Sequence, residues 1–380
     1  MHVSEQEEFS GLALRSRIGA DGGLTLLLER TAAAPPGLGE VTVRVEAAPV
    51  NPSDLGLLLG PADPASLRRE DTAQGPVVHG VVPPGRLAAV AGRLDQALPT
   101  GAEGSGVVVA AGDAVGHLLG RTVAGFPGGM YAQFRTLSAS DLLVLPPEVS
   151  PREAAACFIN PLTALGMVET MRLEGHGALI HTAAASNLGH MLLRLCREED
   201  VQIVNVVRSE AQVALLRDQG ALWVLNSTDV DFDDRLADAV AETGATLAFD
   251  AVSGGPLAGR ILHAMERGVG RRPQAYSAYG SKVHKQVYCY GALDTGPTVL
   301  ERKMGMAWGV GGWLLPHFLD RVGPEAAQTL KARVVAGLST IFESRYTHEI
   351  TLDEALDPER IRAFLRKATG EKYLIRPNGI

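Results

Sequence analysis

The sequence predicts an α/β protein in two parts, an antiparallel β-rich domain and a doubly wound domain on a parallel sheet. Three observations predict it. The chain has 380 residues, more than one compact core usually holds. Up to about Ser150 it consists of short β-rich runs punctuated by Gly and Pro. Beyond Pro151, apolar strands alternate with helix-length segments, the pattern of βαβ units on a buried parallel sheet.

The β-rich part starts at Gly11 and includes VTVRVEAAPV, GSGVVVAAG and LLVLPPEVS, each closed by turn residues. Within it, Gly60 to Leu98 is rich in Pro, Gly and Ala and reads as a long loop, with one short helix over PASLRRE. Such a loop either shapes a substrate pocket or is decoration. The doubly wound part then reads as helix AAACFINPLTALGMVETM, strand ALIHT, helix NLGHMLLRLCREE, strand VQIVNVV, helix EAQVALLRDQG, strand ALWVLN, helix RLADAVAETG and strand TLAFDAV. A helix from Gly255 to Arg267 and a strand QVYCYGAL from Gln286 to Leu293 extend it. Asn160 and Pro161 are expected to be a helix N-cap and a first-turn proline.

Composition excludes several classes. Apolar residues make up 46% and charged residues 21%, as in a folded soluble protein. With 35 Lys+Arg against 43 Asp+Glu the net charge is −8, which gives no general attraction to nucleic acid or an anionic membrane. Cys157, Cys196 and Cys289 form no CxxC pair and are odd in number, so neither a disulfide framework nor a zinc cluster is expected, and a reducing cytoplasm fits. The start, MHVSEQEEFSGLAL, is acidic where a signal peptide needs a basic segment. The apolar stretch from Met306 to Leu319 is short and interrupted by Pro316, unsuited to spanning a bilayer.

The strand ALIHT runs into AAASNLG and an apolar helix, which places Ala184, Ser186 and Gly189 at the three positions of G-x-G-x-x-G. Two glycines are replaced, but small residues still let the backbone approach a pyrophosphate at the helix N-terminus. Ala184, Ala185, Ser186, Asn187, Leu188 and Gly189 are therefore the candidate dinucleotide turn. Nineteen residues further on, VQIVNVV ends in Arg208 and Ser209. A cation and a hydroxyl there suit the 2′-phosphate of NADPH, where an NAD site usually carries an acid. Glu210 complicates that reading, and a solvated arginine is the plain alternative.

In order along nearly the whole chain, the motifs VNPSD, GAEGSGVVVAAGDAV, GRTVAG, GGMYAQF, NPLTA, TAAASNLG, NVVRS, FDAVSGG, VYCYGALD and KATGEKYLIRP resemble the medium-chain dehydrogenase/reductase superfamily, in its zinc-free NADPH:quinone oxidoreductase and enoyl-reductase branch. The resemblance implies a GroES-like β-rich catalytic domain over residues 1–155, a Rossmann domain over 156–329 and a C-terminal segment, 330–380, that completes the first. The chain departs from that pattern in Gly60 to Leu98 and around Tyr276 to Lys285. Zinc-using relatives place Cys and His where this sequence has Asn51 and Ala102, neither a competent ligand, so no metal is expected. His176, His181 and His190 cluster in sequence but are spread over different elements.

Without zinc, alcohol oxidation loses its usual Lewis acid, whereas a quinone or enone accepts hydride readily. The resemblance implies that Asn51 lines the acceptor pocket, with capping of the Pro52 turn as its structural alternative. Tyr131 is a hydroxyl donor to substrate or nicotinamide, or else a half-buried strand tyrosine. Thr163, one turn into its helix, is a candidate to reach the cofactor. Asp250, Val252, Tyr290, Gly291 and Leu293 mark carboxyl ends of strands, where ligands bind in such folds. Lys372 is a cofactor candidate, a surface lysine being the alternative. The functional expectation is a cytoplasmic, homodimeric NADPH:quinone reductase. A 2-alkenal or enoyl-thioester reductase is the nearest alternative, and a noncatalytic nucleotide-binding or partner-binding protein the alternative from another class.

Overall fold

The structure is a computed structural model that describes residues 9–271 and 277–380. The acidic start, Met1 to Glu8, and Tyr276 of the departure noted above lie outside the described residues. The chain divides into two compact units, one taking the chain up to Ile159 together with Val334–Ile380, the other Asn160–Arg333.

The first unit begins with ten strands: β1 (Ser10–Ile18), β2 (Gly23–Ala32), β3 (Glu40–Pro49), β4 (Arg68–Thr72), β5 (Gly75–Val81), β6 (Leu98–Pro99), β7 (Gly104–Ala111), β8 (Thr122–Gly125), β9 (Phe134–Ser138) and β10 (Leu142–Val144). One short helix, α1 (Asp54–Leu58), interrupts them and another, α2 (Pro151–Ala154), follows them. One sheet runs β4-β5-β2-β1-β6. Val41, Val43 and Val45, the inward residues of β3, are fully buried with Leu14 and Leu26 in one core, as a half-covered antiparallel sheet requires.

The stretch Gly60 to Leu98, read above as a loop with a helix over PASLRRE, is mostly ordered structure. Pro64–Ser66 forms only a single 3₁₀ turn, capped by Asp63, and the residues that follow form β4. The hairpin β4-β5 extends the sheet through Leu27↔Val77 and the pairs beyond it. Four of the five β4 residues, Arg68 to Asp71, are exposed, so no alternation betrayed the strand.

The second unit carries α3 (Ile159–Leu173), β11 (Ala178–Thr182), α4 (Asn187–Glu198), β12 (Gln202–Val207), α5 (Glu210–Asp218), β13 (Trp223–Asn226), α6 (Phe232–Thr243), β14 (Leu247–Asp250), β15 (Ser253–Gly255), α7 (Leu257–Gly270), β16 (Lys285–Cys289), β17 (Asp294–Thr298), β18 (Trp308–Gly312) and α8 (Leu315–Val322), with α9 (Pro324–Ala336) leading out. Its main sheet runs β13-β12-β11-β14-β16-β18, all parallel. The order reverses between β11 and β14, the switch point outside which ligands bind in open α/β sheets. Strand QVYCYGAL is shorter than expected and ends at Cys289, leaving Tyr290 to Leu293 as a turn. The apolar stretch Met306 to Leu319 contains the sixth strand. Among the described residues, no helix is long and apolar enough to cross a membrane.

Lys285 opens β16 with a fully buried side chain. Its ammonium donates to Glu266 Oε2 at 2.6 Å, Ser281 Oγ at 3.1 Å and the Val283 carbonyl at 3.0 Å, so the charge is paired and its donors are satisfied.

The chain then returns to the first unit with β19 (His348–Ile350), α10 (Pro358–Arg366) and β20 (Tyr373–Ile375). β20 inserts between β19 and β3 in the order β10-β8-β7-β3-β20-β19, pairing Leu374 with Pro49. The C-terminal strand is thereby set directly beside the segment that follows β3.

Candidate active site

In the second unit, β11 is buried along its whole length and leads into a turn in which Ala183 has φ +52°. Ala184, Ala185 and Leu188 are buried there. Ser186 caps α4 by accepting the Gly189 N–H at 3.1 Å, and the Ala184 N–H is anchored on the Val206 carbonyl at 3.2 Å. A Cβ on Gly189 would lie 2.0 Å from the Ala184 oxygen, so only glycine lets α4 start this close to the turn. The sequence Ala184 to Gly189 thus keeps the compact strand-turn-helix geometry despite its two missing glycines, and Asn187 opens the helix.

At the end of β12, Glu210 is engaged within the protein. Glu210 Oε1 accepts Asn226 Nδ2 at 3.1 Å, which turns the carboxylate toward the end of β13. Ser209 caps α5, accepting the Gln212 N–H at 3.4 Å. Arg208 is exposed and makes no ion pair among the described residues, its backbone N–H being held by Gln212 Oε1 at 3.0 Å.

At the end of β14, Asp250 is fully buried and its carboxylate is consumed within the protein. Its Oδ1 accepts from Thr182 Oγ1 at 2.7 Å and the Val252 N–H at 2.9 Å, and its Oδ2 accepts the Ser253 N–H at 3.1 Å. The Tyr290 N–H donates to the Asp250 carbonyl and the Leu293 N–H to that of Ala251, while Ser253 Oγ donates to Gly291 O. Asp250, Val252, Tyr290, Gly291 and Leu293 are therefore brought together, with Asp250 acting as the knot. The buried His181 ring meets the Tyr290 hydroxyl at 2.8 Å and stacks on that ring. Burial pushes its pKa down to about 3, so the imidazole is neutral. Thr163 is buried on α3.

In the first unit the residues around Asn51 form a buried polar cluster. Asp54 ties the turn before α1, its Oδ2 accepting the Asn51 N–H and its Oδ1 the Ala102 N–H, each at 2.8 Å. The Asn51 amide is used at both ends. Its Nδ2 donates to Glu103 Oε1 at 2.8 Å, and its Oδ1 accepts from Lys372 Nζ at 3.1 Å. Glu103 Oε2 accepts the N–H groups of Phe158 and Ile159 at 3.2 and 2.9 Å. That carboxylate therefore caps the start of α3, and Asn160 and Pro161 lie inside the first turn instead of forming the cap expected of them.

Tyr131 is 1% exposed, and its hydroxyl donates to the Pro49 carbonyl at 3.1 Å. The close seat of its ring requires glycine at 101, where φ is +87° and a Cβ would stand 2.4 Å from the ring. Burial, reinforced by Asp54, drives its phenol pKa well above the ordinary value. Lys372 is partly buried and bonded into the cluster, not a free surface lysine. Burial raises the pKa of Glu103 to about 7 and raises that of Asp54, while the same desolvation lowers that of Lys372 against the pull of both acids. Asp54 and Glu103 were not singled out from sequence, although both lie in the quoted motifs VNPSD and GAEGSG. The available signal was an acid at the mouth of an otherwise apolar strand. Among the described residues no three His, Cys, Asp or Glu side chains are grouped so as to hold a metal ion.

No protein-family model matches the chain. A mycocerosic acid synthase-like polyketide synthase of Mycobacterium tuberculosis is 30% identical over 236 residues, 61% of this chain and 10% of that protein. The chain spans 10% to 50% of the length of the first curated relatives it matches. Among solved structures, a candidate NADPH:quinone reductase of Mesorhizobium loti superposes with a TM-score of 0.72 at 25% identity, over 99% of this chain and 100% of that one. The quinone oxidoreductase of Escherichia coli, complexed with NADPH, superposes with a TM-score of 0.68 at 17% identity, over 97% and 100%.

Proposed function

We propose that this chain, which has the fold of the medium-chain dehydrogenase/reductase superfamily, is an NADPH-dependent oxidoreductase that reduces an electron-poor carbonyl acceptor, a quinone first of all. The observation that carries this reading is the turn from β11 to α4. The close packing of α4 on the turn at Gly189 and the helix start capped by Ser186 set a helix N-terminus at the carboxyl end of β11, where a pyrophosphate would bind. Ala184 to Gly189 would hold that group, and Arg208 with Ser209 the 2′-phosphate, since Glu210 is engaged by Asn226. The joined turns of Asp250 to Ser253 and Tyr290 to Leu293 would seat the nicotinamide half. The unit built from both ends of the chain would bind the acceptor and the unit Asn160–Arg333 the cofactor.

When bound, NADPH supplies a hydride. The residues of this chain orient the acceptor and meet the negative charge that forms on its oxygen. Asn51, fixed at both ends of its amide, is a rigid polar wall for that purpose. An amide held by Glu103 and Lys372 at the position where zinc-using relatives carry a ligand supports a site that works without zinc, and its second N–H remains for the acceptor oxygen.

A quinone and an α,β-unsaturated carbonyl make the same demand, an oxygen that becomes anionic as hydride arrives, and a 2-alkenal or enoyl thioester is therefore the second reading. The test is anaerobic NADPH oxidation against a matched set of quinones, enones and enoyl thioesters, with products identified. Hydroquinone formation at the highest kcat/KM supports the first reading. Turnover confined to enoyl thioesters replaces it with the second. Tight NADPH binding without oxidation by any acceptor points to a noncatalytic nucleotide-binding protein.

A further inference from the structure

We propose that Lys372 is the proton donor of this site, its ammonium, held at 3.1 Å by Asn51 Oδ1, protonating the acceptor oxygen that becomes negative on hydride transfer. This rests on the reductase reading above. The geometry singles out Lys372 because every other acid or base of the cluster is committed, and an amide gives up no proton. The Asn51 amide bridges Glu103 and Lys372. The Asp54 carboxylate holds two main-chain N–H groups, and the Glu103 carboxylate holds two more besides Asn51. The Tyr131 hydroxyl is turned to Pro49 O. An ammonium has three N–H donors, and among the described residues that of Lys372 has one hydrogen-bond partner. A charged donor with unused N–H groups in dense surroundings is costly unless a ligand oxygen satisfies them.

The position is also built, not incidental. β20 pairs with β3 through Leu374 and Pro49, and the Val50 N–H donates to the Tyr373 carbonyl at 2.9 Å. Lys372 is therefore fixed to the same backbone that carries Asn51. The charged and titratable groups around it are Glu103 and Asp54, which favour its charged form, while burial opposes it. Tyr131 faces Asp54, and Cys157 and Tyr346 face Glu103. An ammonium held against desolvation gives up a proton more readily than a solvated lysine does.

The step balances. As the acceptor gains a hydride with its electron pair, a C=O π pair moves to oxygen. An N–H bond of Lys372 breaks, its pair stays on nitrogen, and the proton forms the new O–H bond. One solvent proton restores the ammonium, so each turnover consumes one NADPH and one proton.

The test uses the full chain and two variants, Lys372→Met and Lys372→Arg, with three readouts. They are NADPH affinity, the pH dependence of kcat, and binding of 4-nitrophenolate, an aryl oxyanion, to the cofactor-free protein by its visible absorption. For Lys372→Met, kcat falls about a hundredfold, the alkaline fall in the profile disappears, and 4-nitrophenolate binds at least tenfold more weakly. NADPH affinity stays within threefold. Lys372→Arg keeps the charge but cannot release a proton, so it retains 4-nitrophenolate binding and still loses kcat. This variant decides the matter if the methionine variant fails to fold. Wild-type kcat and pH profile in the folded arginine variant would overturn the proposal, as would a loss confined to NADPH affinity. If the wild-type protein oxidises NADPH with no acceptor, the reductase reading fails by itself, and the 4-nitrophenolate arm still decides whether Lys372 binds an oxyanion.

Discussion

Replacing Gly189 by alanine tests the dinucleotide turn through the sign of its effect. In an ordinary helix the substitution stabilises by about 1 kcal/mol, because alanine loses less backbone entropy. Here the added Cβ would stand 2.0 Å from the Ala184 oxygen and 2.5 Å from its carbonyl carbon, both main-chain atoms that cannot rotate aside. The first turn of α4 must withdraw by roughly an ångström in an interior with no slack. That loosens the Ser186 cap and shifts the N–H groups that would meet a pyrophosphate. Overpacking of this kind costs about 1–3 kcal/mol, so the net result is destabilisation, and NADPH affinity falls at least tenfold. Denaturant unfolding gives the first quantity and fluorescence titration the second. Gly56→Ala is the control, since that helical glycine is exposed with nothing within 4 Å of its added Cβ, and it should stabilise by about 0.5–1 kcal/mol. A Gly189→Ala protein as stable as wild type, with unchanged NADPH affinity, would refute the close-approach reasoning.

Arg208→Ala should weaken NADPH ten- to a hundredfold, about 1.5–3 kcal/mol for a charge-assisted pair, and leave NADH unchanged; equal losses for both cofactors would detach Arg208 from the 2′-phosphate. Added salt should narrow the NADPH preference, because Arg208 is exposed and screened. Tyr131→Phe should remain folded and lose about 1 kcal/mol in unfolding free energy with its bond to Pro49 O. Lys285→Met should cost about 3 kcal/mol by stranding Glu266, and a shift below 1 kcal/mol would show the pair to be dispensable. Between about 4.5 and 7, native Glu103 holds a proton that the unfolded chain has released, so its contribution lowers the unfolding free energy as pH rises through that window. Glu103→Gln should remove this slope when the two proteins are unfolded side by side across the range.

The parallel sheet was legible because strands such as ALIHT and VQIVNVV are buried on both faces and leave an unbroken apolar run, and because helices such as NLGHMLLRLCREE carry one buried stripe. The hairpin of β4 and β5 was not, since RREDT is held by main-chain pairing with GPVVHGV while most of its side chains face solvent. The start of α3 failed for a related reason. Asn160 and Pro161 satisfy the local rules for a helix entrance, yet the N–H groups of Phe158 and Ile159 are met by Glu103, a distant residue that no local rule weighs. In the candidate site, Asn51 and Lys372 were visible as motif residues, but their meeting was not. Their bond spans 321 residues of chain and depends on the register Leu374↔Pro49, which neither segment encodes alone.

That register also fixes an order of events during synthesis. The ribosome delivers β3 well before β20, with all of Asn160–Arg333 emerging in between. The parallel-sheet unit is contiguous, so its folding need not await the tail. The end of β3 at Ala48 and Pro49 instead keeps an open edge, and Asp54 and Glu103 lack their cation, until Lys372 and Tyr373–Ile375 are released. A nascent chain is consequently most vulnerable to edge-to-edge association before β20 emerges, and a chain cut short before Lys372 would carry a finished dinucleotide turn but an uncompleted polar cluster.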